Sequence, residues 1–292
     1  MVEMRTTAIL AALAFAVPFA AWARQGTILL YPTALKTEKN ILACAEWRKP
    51  LASAAPHAVA TRGVGGPLSA DAPALSLANT HPEFAYWAAH ADGIRTDRTY
   101  FFGAWTKIDS ANLLFWCNGT SAATEKSISA RVYCNSGSLP TLERYFDDDI
   151  KRRLSGDTDA WRIVARTFSL AEPVADDRMM AEFGFFKTPG KATFAEPFLI
   201  DVTDAPNTLE VELRGVKPVK SLLVIRLETH DPDWRKEFET PVTDFAERLP
   251  PKCVAFEGMG ADPMAGRALV VTYADGGQDR VACPSEGLFL KR

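Results

Sequence analysis

The chain has 292 residues, with 33 Lys and Arg against 36 Asp and Glu, a formal net charge of −3 and a pI near 5.9. No sustained basic run is present, so the footprint that nucleic acid or an anionic membrane requires is missing, and nucleic acid is not expected as a partner. The length suffices for one large domain or two of ordinary size, either of which buries a real core.

Residues 1–23 read as a secretory signal peptide: Arg5 precedes an apolar stretch from Ala8 to Ala20, and Ala21-Trp22-Ala23 forms a small-x-small cleavage site before Arg24. The stretch is shorter than the roughly 20 residues that cross a bilayer, so no stable membrane anchor is expected after cleavage. The expected location is periplasmic or secreted. Without a twin-arginine pair the chain is exported unfolded, which argues against a cytoplasmic cofactor; no cofactor is expected.

Beyond the leader, Thr27 to Tyr31 reads as a strand and Thr33 to Lys49 is ambiguous between helix and strand. Pro50 to Leu77 is rich in Ala, Pro, Ser and Gly and reads as a long loop. A first helix is expected after Pro82, with Phe84, Trp87, Ala88 and Ala91 on one face and Gly93 as its stop. Thr99 to Thr106 and Leu113 to Cys117 read as strands, and Ser127 to Cys134 alternates in the manner of a strand returning after the Asn118-Gly119 turn dipeptide. A second helix is expected from Pro140 to Leu154, where Leu142, Tyr145, Phe146, Ile150 and Leu154 fall at helical spacing. Its Asp147-Asp148-Asp149 run points in three directions about 100° apart, so it reads as a solvated face and no metal is expected there.

The period changes from Trp161 onward. Trp161–Phe168, Met179–Phe186, Ala192–Val202, Thr208–Arg214 and Val219–Glu228 read as strands, with Leu209, Val211 and Leu213 inward and Glu210, Glu212 and Arg214 outward. Ala268–Tyr273 and Arg280–Cys283 form a hairpin around Asp275-Gly276. The fold expected is α+β and predominantly antiparallel β: a region 24–156 with two helices and hairpins, and a β-sandwich-like half, 157–292.

Five cysteines in an exported chain allow two disulfides and one free thiol. The hairpin patterns pair Cys117 with Cys134 and Cys253 with Cys283, leaving Cys44 as the free thiol, expected to be buried and inert between Leu42 and Trp47.

Specific catalytic signatures are missing: no Gly-x-Ser-x-Gly, Ser-x-x-Lys, His-Glu-x-x-His or Cys-x-x-Cys occurs, and the glycines at 63–66 lack the rest of a phosphate loop. His57, His81, His90 and His230 are the histidines; His90 beside Asp92 could be a base but reads better as a helix-end residue, and His230-Asp231-Pro232-Asp233 reads as a turn. The strongest remaining signal is nine aromatics between Phe84 and Trp116, where the chain's 10% average would place about three. That density suits a core, and because Tyr100-Phe101-Phe102 must face both sides of a strand, one ring is left for a second layer or a ligand. Tyr100, Phe102, Trp105 and Trp116 are the candidate ligand-binding residues. The function expected is a soluble exported binding or interaction protein whose partner is a protein, a glycan or an envelope component. The alternative is an extracytoplasmic hydrolase using dispersed Asp, Glu and His residues.

Overall fold

The computed structural model describes residues 27–109, 112–136, 153–154, 161–205, 208–227, 236–241, 252–257 and 266–282. The strands, in chain order, begin with β1 (Thr27–Pro32), β2 (Ala58–Val64), β3 (Pro73–Asn79), β4 (Phe84–Asp92), β5 (Thr99–Asp109) and β6 (Asn112–Thr120). Next come β7 (Ser127–Ser136), β8 (Arg153–Leu154), β9 (Arg162–Ser169), β10 (Arg178–Phe186), β11 (Gly190–Asp201) and β12 (Thr208–Arg214). The last are β13 (Val219–Leu227), β14 (Lys236–Pro241), β15 (Lys252–Glu257), β16 (Gly266–Tyr273) and β17 (Gln278–Ala282). Among the described residues the α-helical content is one short helix, α1 (Ala34–Thr37), and no helix is long and apolar enough to cross a membrane.

Two five-stranded sheets form a sandwich. The front sheet has the order β4-β10-β6-β7-β8 and the middle sheet β2-β3-β11-β5-β9; apart from the parallel β7–β8 pair, their ladders are antiparallel. One apolar cluster fills the space between them, with Trp87, Phe115, Phe183 and Phe185 from the front sheet against Leu75, Leu77, Phe102, Phe194 and Leu199 from the middle sheet. Phe183 sits at its centre, with ring centroids 4.6 Å from Phe115, 5.0 Å from Phe102 and 5.4 Å from Trp47.

The middle sheet is buried on its other face too. A third sheet, β1-β12-β15, lays Leu29 and Tyr31 over Phe101, Trp105, Phe198 and Ile200. This accounts for the consecutive aromatics of β5: Tyr100 and Phe102 point into one cluster, Phe101 and Trp105 into the other. Gly103, on the same side as Phe101, is needed for close approach, because a Cβ there would lie 2.2 Å from the Val164 carbonyl oxygen. A fourth sheet, β14-β13-β16-β17, contains the expected Asp275-Gly276 hairpin, with Gly276 at φ 86°.

Several sequence expectations are corrected. The helix after Pro82 is strand β4, paired with β10 over nine residues from Phe84↔Phe186 to Asp92↔Arg178. Its true period is two: Ala85, Trp87, Ala89 and Ala91 are buried, and the residues between them are not. Alanine at both 88 and 91 gave a helical spacing that pairing on the sheet overrides. The second expected helix lies outside the described residues except for Arg153–Leu154, which pairs with β7 as a strand. The expected loop from Pro50 to Leu77 holds the β2–β3 hairpin, whose small side chains sit at the edge of the middle sheet while Leu75 and Leu77 enter the core.

Strands β10 and β11 insert between β4 and β6 and between β3 and β5, so the sandwich draws on residues both before and after position 156. The charged stripe of β12 also faces inward. Glu212 is 5% exposed and accepts hydrogen bonds from Tyr31 Oη (3.1 Å), Lys36 Nζ (3.3 Å) and Arg214 Nε (2.7 Å), while Val211 and Leu213 are buried on the opposite face. Burial raises the Glu212 carboxyl, and the bonds from Arg214 and Lys36 outweigh it and hold the group below its ordinary value.

The β6–β7 hairpin exists, but its register opposes Cys117 to Ala130 and Cys134 to Leu113. The two cysteines are therefore four residues apart along the ladder, about 13 Å, beyond the reach of a disulfide. Cys117 carries a free, buried thiol 3.8 Å from Met179 Sδ, and burial pushes its pKa far up. Cys253 lies opposite Glu212 in the β12–β15 ladder, and Cys283 falls outside the described residues. Cys44 carries a free thiol and is exposed rather than buried, because it lies in the turn formed by residues 41–44. Alkylation of the folded protein is expected to label Cys44 quickly and Cys117 only after unfolding, as read by peptide mapping; equal labelling would contradict the burial of Cys117.

Candidate functional site

Alternation along the front sheet sends half of its side chains into the sandwich and half to its outer face. Register then sets those outer residues in rows. One row runs Ala88, Glu182, Trp116, Arg131 across β4, β10, β6 and β7. On one side lies the row His90, Met180, Asn118, Ser129; on the other, Gly184 stands between Tyr86 and Leu114, of which Leu114 is buried. Phe84 and Phe186 follow on β4 and β10.

The central row combines an acid, an indole and a guanidinium. Asn118 Nδ2 donates to Glu182 Oε2 at 2.8 Å, and the Arg131 guanidinium stacks 4.8 Å from the Trp116 ring. Glu182 is half-buried; burial pushes its carboxyl above the ordinary glutamate value, and the Asn118 bond only partly opposes that. Three buried atoms of this face, His90 Nδ1, Trp116 Nε1 and Arg131 Nε, have no hydrogen-bond partner among the described residues. Each unmet buried polar atom costs about 1–3 kcal/mol.

Tyr86 lies over Gly184, where an added Cβ would come within 2.7 Å of its ring and 1.9 Å of the Ala85 carbonyl oxygen. The missing side chain leaves room for the tyrosine ring beside the strand. Farther along, Phe84 is 40% exposed, with Phe186 5.1 Å away in an edge-on contact and Lys187 Nζ 5.0 Å from its ring centre.

Of the four residues expected to bind ligand, Tyr100 (2% exposed), Phe102 (0%) and Trp105 (3%) belong to the two cores and offer no open ring. Trp116 alone stands on the outer face. His90 is also on this face, within a strand rather than at a helix end. His57 and His81 stack at 3.7 Å in a separate exposed cluster, where His57 Nδ1 is bonded to Glu83; that bond lowers the Glu83 carboxyl. His230 lies outside the described residues. Among the described residues no group of three or more His, Cys, Asp or Glu is placed to hold a metal ion.

Glu182, Asn118, Arg131 and Tyr86 are absent from the sequence-based set. The signal for Glu182 is visible in hindsight: it is the single acid within Met179–Phe186, on the side opposite Ala181 and Phe183. Trp116 and Asn118 likewise alternate with Phe115 and Cys117.

No family model matches the chain, and no curated protein matches it. Among solved structures, it is similar to the enzymatically active domain of bacteriophage CBA120 tailspike protein 4 (12% identity, TM-score 0.34, 60% of this chain and 19% of that one). It is also similar to the family 11 carbohydrate-binding module of the Clostridium thermocellum cellulase Lic26A-Cel5E (11%, TM-score 0.32, 56% and 94%). A third similarity is to the adhesin domain of Epf from Streptococcus pyogenes (9%, TM-score 0.29, 90% and 98%). The chain spans about a fifth of the tailspike domain it matches. No residue role passes from these structures to this chain.

Proposed function

We propose that this is an exported binding protein that recognises a glycan on the outer face of its front sheet. The observation that carries the reading is the row Glu182, Trp116, Arg131, with Asn118 beside it. A sugar ring presents hydroxyls that donate and accept at once, together with an apolar face. Glu182 supplies an acceptor, Asn118 and Arg131 supply donors, and Trp116 and Tyr86 supply flat apolar surface. The half-buried position of Glu182 strengthens any hydrogen bond it accepts.

Binding fits this face better than hydrolysis. Glycoside cleavage needs two carboxyl groups about 5–9.5 Å apart across the scissile bond. The other acid on this face of β4, Asp92, is two rows from Glu182, about 13 Å along the ladder. It is also held by Arg178 Nε at 2.5 Å. Export is supported by Arg5, the apolar stretch 8–20 and the Ala21-Trp22-Ala23 site; N-terminal sequencing of the secreted protein is expected to begin at Arg24.

A glycan array followed by calorimetry with the retained glycans tests the reading. Saturable binding without turnover is expected; turnover of a glycoside or ester panel, with no retained glycan, would overturn it. Binding should also depend on pH. The ligand needs the ionised Glu182, whose pKa is raised, so affinity falls on acidification and begins to fall above the pH at which an ordinary glutamate titrates. Calorimetry across the pH range, repeated with Glu182→Gln, checks this: the loss on acidification disappears in the variant.

A further inference from the structure

We infer that the face takes a glycan chain rather than a single sugar, with Phe84 as a second station remote from the Glu182–Trp116 centre. The inference rests on the glycan reading above. Phe84 belongs to the same outer side of β4 as Tyr86 and His90. Large apolar side chains at the surface are few among the described residues, and Phe84 is the one aromatic among them, at 40% exposure. Core packing does not account for its open area, since its ring contacts are with Tyr86 (6.2 Å), Phe186 (5.1 Å) and Lys187, all on the same outer surface.

Its spacing from the centre sets the ligand's length. Phe84 is four residues along the ladder and two strands across from Trp116. At about 3.3 Å per residue and 4.8 Å per strand, the separation is about 16 Å, so one sugar cannot touch both stations and a chain of about four can. Tyr86, packed against Gly184 and partly exposed, lies between them on β4. The order is therefore polar centre, tyrosine, exposed phenylalanine. Hydrogen bonds at the centre choose the sugar, and Phe84 adds contact that only the longer chain reaches.

The test uses oligosaccharide ladders of two to six units, β-1,4-linked from glucose, xylose, mannose or N-acetylglucosamine, titrated into the full chain and into Phe84→Ala and Phe84→Tyr. For the ladder that binds, affinity is expected to rise up to about four units and then level off. Phe84→Ala should lose about tenfold on the long members and nothing on the two-unit member, with Phe84→Tyr retaining the gain. Equal affinity for two and six units, or a Phe84→Ala loss that is the same at every length, would overturn the second station while leaving the centre intact. Failure of every ladder to bind, together with no glycan retained on the array, would instead overturn the glycan reading on which the station depends.

Discussion

Replacing Glu182 by Gln is expected to cut glycan affinity by ten- to a hundredfold while leaving the fold at least as stable as before. The carboxylate is half-buried in the middle of the outer face, and it keeps the Asn118 bond at 2.8 Å. A hydrogen bond to a charged group contributes about 1.5–3 kcal/mol, and each 1.4 kcal/mol is a factor of ten in affinity. Stability moves the other way. A carboxyl whose folded pKa is raised holds its proton more tightly in the folded state, so its ionised form costs stability at neutral pH and that cost fades as pH falls through the raised value. Glutamine removes the charge and keeps an acceptor for Asn118. Calorimetry and thermal unfolding on the same preparation separate the two effects. Lower stability in the variant would make Glu182 a structural residue.

The opposite split is expected at the core. Phe183→Ala should destabilise the protein by about 3–5 kcal/mol, because its ring joins the two layers and a cavity there cannot close without moving both sheets. The ring is fully buried and lies between Phe115 and Phe194 in addition to Phe102 and Trp47. The neighbouring Glu182 and Gly184 place the outer face on the same strand, so glycan binding is lost when this strand unfolds and returns where a fraction remains folded. Denaturant unfolding checks the magnitude. A loss under 1 kcal/mol would mean that Phe183 is not the joint between the layers.

What the sequence disclosed depended on the kind of signal. The strands Met179–Phe186 and Ala192–Val202 and the Asp275-Gly276 hairpin were legible because alternation and turn chemistry are local. Strand β4 was not, since alanine at 88 and 91 beside Trp87 fits both periods and only the β10 partner, some ninety residues on, decides between them. The β12 stripe misled for a related reason: Glu212 is buried because Tyr31, Lys36 and Arg214 meet it there, and two of those partners come from the other end of the chain.

The candidate site was legible only at Trp116. Aromatic density pointed to β5, whose rings turned out to serve two cores because a third sheet covers the middle one. Glu182, Asn118 and Arg131 come together through register across β10, β6 and β7, which no local pattern in the sequence encodes.

The most direct test of the outer face as the binding surface is a ¹H–¹⁵N spectrum of the tryptophan indoles, titrated with the tightest glycan from the array and assigned with Trp116→Phe. The Trp116 indole signal is expected to shift in proportion to saturation while those of the buried Trp87 and Trp105 stay in place. Saturable binding that leaves Trp116 unmoved would contradict the account.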